Sequence, residues 1–352
     1  MKALQNIHIQ STKNEALQKL LQYNIDQKTK PLGSLGRLEE LAMQIGLIQQ
    51  STTPQLNAPV MLTIAADHEI THEGVSPAPA EITWQQCLNF CNGGGGIGFL
   101  CEQFGFDLHV VDAGVNYDFE AHPKLIDKKV RKGCRNFLHE PAMTLAECNQ
   151  ALQNGRDVVA YFAKKGTNII GFGEMGIGNS SPATALLSIY AGIPIDQCTG
   201  PGCGLSHQGV QHKSKILEQA IAHLGIAQTP EENLARFGGL EIATIAGGML
   251  EAAQRRMIIL VDGFITTSAF LAAHAINQRV RDYAIFSHSS HEPSHKKMLN
   301  HVQANAILDL QLRLGEGTGA ALCYPIVQAS VEMLNKMTSF SETKVYNINQ
   351  DA

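Results

Sequence analysis

One carboxylate in the chain sits between two glycines, in the stretch Leu314-Gly315-Glu316-Gly317-Thr318-Gly319-Ala320. Glycines on both sides free the backbone and let a ligand come close. A carboxylate held at such a turn can take a proton from a bound molecule. The alternative is an ordinary Glu near a helix N-terminus, where negative charge is favoured. A second carboxylate, Glu174, lies in Gly173-Glu174-Met175-Gly176-Ile177-Gly178-Asn179-Ser180-Ser181. Glycines after a strand, followed by hydroxyls at a helix start, supply N–H and O–H donors to an anion. Gly200-Pro201-Gly202-Cys203-Gly204 adds further backbone donors, and Lys213 offers a positive charge.

Other clusters point less specifically. Asn92-Gly93-Gly94-Gly95-Gly96-Ile97-Gly98 lacks the Lys-Ser/Thr ending of a phosphate loop and follows no strand. It reads as a close-packed or mobile link between helices. Asp67-His68-Glu69-Ile70-Thr71-His72-Glu73 and His288-Ser289-Ser290-His291-Glu292-Pro293-Ser294-His295 carry metal-ligand types. His68 and His72 are spaced i, i+4, but outside a zincin-type helix. They read as polar loops at a ligand mouth, with a metalloenzyme as the competing class. No G-x-S-x-G elbow is present, which disfavours an α/β-hydrolase.

The elements that must position these groups follow a pattern. Short apolar runs end in polar or glycine clusters: Val60 to Ala65, Leu108 to Val111, Asn168 to Ile170, Met257 to Val261 and Tyr283 to Phe286. Such runs between helical stretches predict an α/β fold, a mostly parallel sheet covered on both faces, with a crevice at the strands' carboxyl ends. Leu308, Leu310, Leu312 and Leu314 alternate with polar residues and predict an extended segment with one buried face, followed by a helix from Ala320 to Leu334. A net charge of −5 argues against general nucleic-acid binding. No apolar run is long enough to span a membrane, and Met1 to Asn6 lacks a signal-peptide core. Eight scattered cysteines without a C-x-x-C pair suit reduced thiols of a cytoplasmic protein.

Taken together, the motifs resemble those of the nicotinate-nucleotide–dimethylbenzimidazole phosphoribosyltransferase family. The resemblance is carried by Lys30-Pro31-Leu32-Gly33-Ser34-Leu35-Gly36-Arg37-Leu38-Glu39, Ala66-Asp67-His68, the Gly173 to Asn179 stretch, Leu260-Val261-Asp262-Gly263-Phe264 and Leu312 to Gly319. It implies a Rossmann-like large domain over 56–317, a small helical domain from 1–55 with 318–352, and a homodimer. It implies phosphoribosyl transfer from nicotinate mononucleotide to 5,6-dimethylbenzimidazole, without metal or redox cofactor. Glu316 becomes the general base, with Glu174 a second carboxylate nearby. Phosphate and ribose fall to Gly176, Gly178, Asn179, Ser180, Gly202, Gly204, Lys213 and Ser290. The base site falls to Pro79, Gln86, Met175 and Leu314. A related transferase using another base, a nucleotide hydrolase, and a sensor that binds without turnover are the alternatives.

Overall fold

Six short strands in the described residues make one parallel sheet: β1 (Val60–Ala66), β2 (Asp107–Gly114), β3 (Leu125–Asp127), β4 (Ile169–Met175), β5 (Ile258–Val261) and β6 (Ala284–Phe286). The protein is described here by a computed structural model, over residues 7–347 and Asn349. Met1 to Asn6, read above for a signal peptide, lie outside the described residues. The strand order is β3-β2-β1-β4-β5-β6, with every pairing parallel. Every residue of β1 and β5 is buried, as strands with helices on both faces must be. The expected five strands are present. The sixth, β3, is three residues long and only half-buried, too short to show as an apolar run.

Chain order reverses direction across the sheet between β1 and β4, where Ile64 pairs with Glu174 and Ala65 with Met175. Helices leaving the two strands there go to opposite faces, and a crevice opens beyond their carboxyl ends. Under the crevice runs helix Leu240–Gln254, buried continuously from Leu240 to Ala253. It can lie close to helix Leu145–Lys164 because Gly155 and Gly247 carry no side chain. A Cβ at either would run into backbone of the other helix.

A second, smaller apolar cluster joins the chain ends. Leu17, Leu21 and Ile25 of helix Glu15–Asp26 meet Ala42 of helix Arg37–Gln49, and Met333 and Leu334 of helix Thr318–Lys336. The amino-terminal half of that last helix, including Ala320, Ala321 and Val327, belongs to the main core. One long helix is therefore shared between the two clusters.

The leucine-rich segment before it departs from expectation. Residues 308–314 are extended but form no strand, and their alternation does not bury one face. Leu310 and Leu314 are 52% and 60% exposed. The segment pairs with the loop after β6 instead of the sheet, through Ser289 N–H to the Leu308 carbonyl at 2.7 Å and His291 N–H to the Leu312 carbonyl at 2.8 Å. Gln311, at φ 58°, breaks the pleat.

Candidate active site

Gly315, Glu316 and Gly317 take φ values of 84°, 67° and 100° in succession. The left-handed region is routine for the glycines but costs a glutamate about 1–3 kcal/mol. Contacts from three strands hold it there. Thr63 of β1 donates its hydroxyl to the Glu316 carbonyl at 2.9 Å. Gly173 of β4 lies so close to that carbonyl that a Cβ would collide with it. Asp262, just past β5, accepts the Gly317 N–H at 3.2 Å and the Ala320 N–H at 3.0 Å, capping helix Thr318–Lys336.

The Glu316 side chain points the other way, onto the start of helix Gly95–Phe104. Its Oε2 accepts the Ile97 N–H at 3.1 Å. Bare backbone at Gly95 and Gly96 makes room, since a Cβ at either would come 3.1 or 3.2 Å from Oε2. Glu316 is only 5% exposed, and burial raises its pKa above the ordinary carboxylate value. The N–H groups of Ile97 and Gly96 pull it down, and the Asp262 charge adds to the rise. The glycine-rich 92–98 stretch is thus a seat for the carboxylate, a role its sequence does not announce.

Glu174, one residue before the end of β4, lines the same cavity, with an oxygen packed against Gly315. Burial pushes its pKa up to about 8, helped by Asp262, Glu241 and Glu316, while the Asn179 amide that donates to it works against the rise. At neutral pH it is mostly the neutral acid. Both carboxyls that share this cavity are held above the ordinary carboxylate pKa.

Beyond Glu174 the chain turns through Gly176 and Gly178 into helix Ser180–Ala191. Lys213, 1% exposed, reaches up from helix His207–Leu224 and donates to the Ser180 hydroxyl at 2.8 Å. Gly202 (φ 53°) closes over the pair, and a Cβ there would lie 2.7 Å from Ser180 Oγ and 3.6 Å from Lys213 Nζ. Burial lowers the Lys213 pKa to about 8, and Glu292 partly opposes this. A helix start, a hydroxyl and a buried amine meet at this corner, an arrangement suited to an anion.

Ser290 lines the same corner. Its N–H donates to His295 Nδ1 at 2.9 Å, and His295 Nε2 meets the Thr267 hydroxyl at 2.8 Å. Burial lowers the His295 pKa to about 3, so the ring is neutral, with its proton on Nε2. His295 braces Ser290 and does not join His288 and His291 in a ligand set.

At the other end, Gln86, Met175, Leu314, Ile82 and Phe264 give the cavity a largely apolar wall. Of the residues singled out in the sequence, Gly178 and Lys213 sit behind this lining. Pro79 and Gly204 do not reach it, and a Cβ on Gly204 would meet nothing. Sequence reading did not single out Arg313 or Phe264, and read His288 and Glu292 only as metal-ligand types in a polar loop; all four line the cavity. Their signal was position, since each lies in or beside a quoted motif. Asp262 was likewise quoted without its role as the clamp of the Glu316 turn.

Comparisons with known proteins show the family. A family model described as phosphoribosyltransferase matches residues 9–345. The nicotinate-nucleotide–dimethylbenzimidazole phosphoribosyltransferase of Bacteroides fragilis is 47% identical over 332 residues, 94% of this chain and 96% of that one. The protein of the same name from Dechloromonas aromatica is 48% identical, covering 95% and 97%. A crystal structure of the enzyme so named from Thermus thermophilus superposes with a TM-score of 0.90 at 35% identity, covering 95% of this chain and 99% of that one. The chain belongs to the nicotinate-nucleotide–dimethylbenzimidazole phosphoribosyltransferase family.

Proposed function

We propose that the protein transfers the phosphoribosyl group of nicotinate mononucleotide to 5,6-dimethylbenzimidazole, releasing nicotinate and α-ribazole 5′-phosphate. The observation that carries this is one cavity with a pinned carboxylate, Glu316, beside an apolar wall, and an anion corner at Ser180 and Lys213 across from it.

The nucleotide's phosphate takes the anion corner, against Gly176, Asn179, Ser180 and Gly202, with Lys213 behind. Ser290 faces the ribose. The benzimidazole lies on Met175, Gln86 and Leu314, with its N–H toward Glu316. Its lone-pair nitrogen attacks C1′ from the face opposite nicotinate, so a β-nucleotide gives an α-riboside. The C1′–N electron pair leaves with nicotinate, whose pyridinium becomes a neutral ring and needs no general acid. The benzimidazole N–H proton passes to the Glu316 carboxylate, which neutralises the new ring cation. General-base help of this kind contributes about 10²–10⁴ in rate, and alignment of the two substrates adds to it. Glu174, mostly protonated, is suited to donate a hydrogen bond and not to act as the base.

Nicotinate release measured with and without benzimidazole tests the reaction. We expect release to require the base. Base-independent release at full rate would mean a hydrolase, and tight nucleotide binding without turnover over a panel of bases would mean a sensor.

The working form we propose is a cytoplasmic homodimer, with residues 1–55 and 318–352 as the small unit. Leu20, Tyr23 and Leu32 are all more than half exposed on that unit, which favours a covered face. No helix among the described residues is long and apolar enough to cross a membrane.

A further inference from the structure

Beneath the Gly176–Gly178 turn lies a buried group outside the catalytic cavity: His68 past β1, Cys134 in the loop after β3, and Glu241 in the first turn of helix Leu240–Gln254. They are 3%, 1% and 0% exposed, and one donor atom from each falls within 4.8 Å of the others. Backbone pairing fixes two of them side by side. Cys134 N–H donates to the Asp67 carbonyl at 2.7 Å, and Glu69 N–H to the Cys134 carbonyl at 3.0 Å. Gly239 is bare where a Cβ would strike both His68 and Glu241.

An ion pair explains only part of this. His68 Nε2 lies 2.9 Å from Glu241 Oε1. Glu241 Oε2, fully buried, has no hydrogen-bond partner. A buried carboxylate oxygen left unpaired is costly. Cys134 Sγ accepts the Leu240 N–H at 3.2 Å. Imidazole nitrogen, thiolate sulfur and a two-oxygen carboxylate make up a donor set for a borderline-soft divalent cation. One such ion would neutralise a thiolate and a carboxylate and occupy the unpaired oxygen. Ligand atoms around tetrahedral zinc sit about 3.3–3.7 Å apart, so the 2.9 Å His68–Glu241 contact opens on binding, and both Glu241 oxygens bind to complete four donors.

We infer that His68, Cys134 and Glu241 form a structural site for a divalent cation of the zinc class, which ties β1, the loop after β3 and helix Leu240–Gln254 together under the glycine turn. On binding, the Cys134 thiol gives its proton to solvent and His68 binds as the neutral ring. The site touches no reacting atom and supplies no step of the transfer. Because it is closed to solvent, the ion enters as the chain folds.

The test is metal content after unfolding the full chain in chelator and refolding it with excess zinc or cobalt. We expect one zinc per chain to survive desalting, a thiolate-to-metal charge-transfer band with cobalt, and a higher Tm than for protein refolded in chelator. X-ray absorption at the zinc edge should show one sulfur ligand, and this needs no variant. Cys134→Ser should lose both the zinc and the cobalt band, and Glu241→Gln serves if that variant does not fold. No retained zinc in the wild type, zinc retained equally by the variants, or a shell without sulfur would each overturn the site and leave a His68–Glu241 ion pair.

Discussion

The backbone N–H of Ile97 holds Glu316 Oε2 at 3.1 Å, across 219 residues of sequence. It fixes the carboxylate by one oxygen and leaves the group facing the cavity. It also keeps the carboxylate more acidic than burial alone would leave it. The same bond thus fixes the position of the base and opposes the effect of burial on its proton affinity.

Two glycines of β4 test how tightly the turn is held. A Cβ on Gly173 would collide with the Glu316 carbonyl, which is backbone and cannot move aside cheaply. We expect Gly173→Ala to cost about 1–3 kcal/mol of stability and to lower kcat as the carboxylate shifts. A Cβ on Gly171 would strike the flexible end of Met61 and meet Ala320 Cβ at an ordinary contact distance of 3.6 Å. Gly171→Ala should be the milder change in both Tm and kcat. Equal effects would contradict the clamp.

The buried Glu174 predicts a pH-dependent stability. Its folded pKa is raised from 4.5 to about 8. The folded protein therefore binds a proton that the unfolded chain gives up, and stability falls as pH rises between those values. The loss amounts to roughly a few kcal/mol. Glu174→Gln should melt above the wild type at pH about 8, with the difference shrinking toward zero near pH about 4.5. Melting curves across that range check the sign.

Lys213 predicts a different limb. With its pKa lowered to about 8, the free enzyme loses this charge above that pH. The value of kcat/KM for the mononucleotide should therefore fall on the alkaline side. Lys213→Met should raise KM about 10- to 100-fold, the equivalent of a charge-assisted hydrogen bond, and should flatten that limb to what Glu174, which also titrates at about 8, contributes. A KM unchanged by the substitution would place the phosphate elsewhere.

Much of the fold was legible because it depends on local pattern. Runs such as Val60 to Ala65 are apolar on both faces, and only a covered parallel strand accommodates that. The Gly315-Glu316-Gly317 turn was legible because only glycines tolerate two of its three backbone angles. The role of Gly95 and Gly96 was not, since it comes from contact with a residue more than two hundred positions away. The alternation from Leu308 to Leu314 misled because exposed leucines such as Leu310 and Leu314 follow the same period as buried ones. His295 offered a metal ligand by type, and only its two hydrogen bonds show a neutral brace.

Glu316→Gln is the most direct test of the base. Glutamine keeps the volume and can still accept the Ile97 N–H, so the turn should hold and Tm should stay near the wild-type value. With both substrates saturating, we expect kcat to fall about 10²-fold or more while KM for the mononucleotide changes little. A properly folded variant that turns over within about threefold of the wild type would remove Glu316 from the role of proton acceptor.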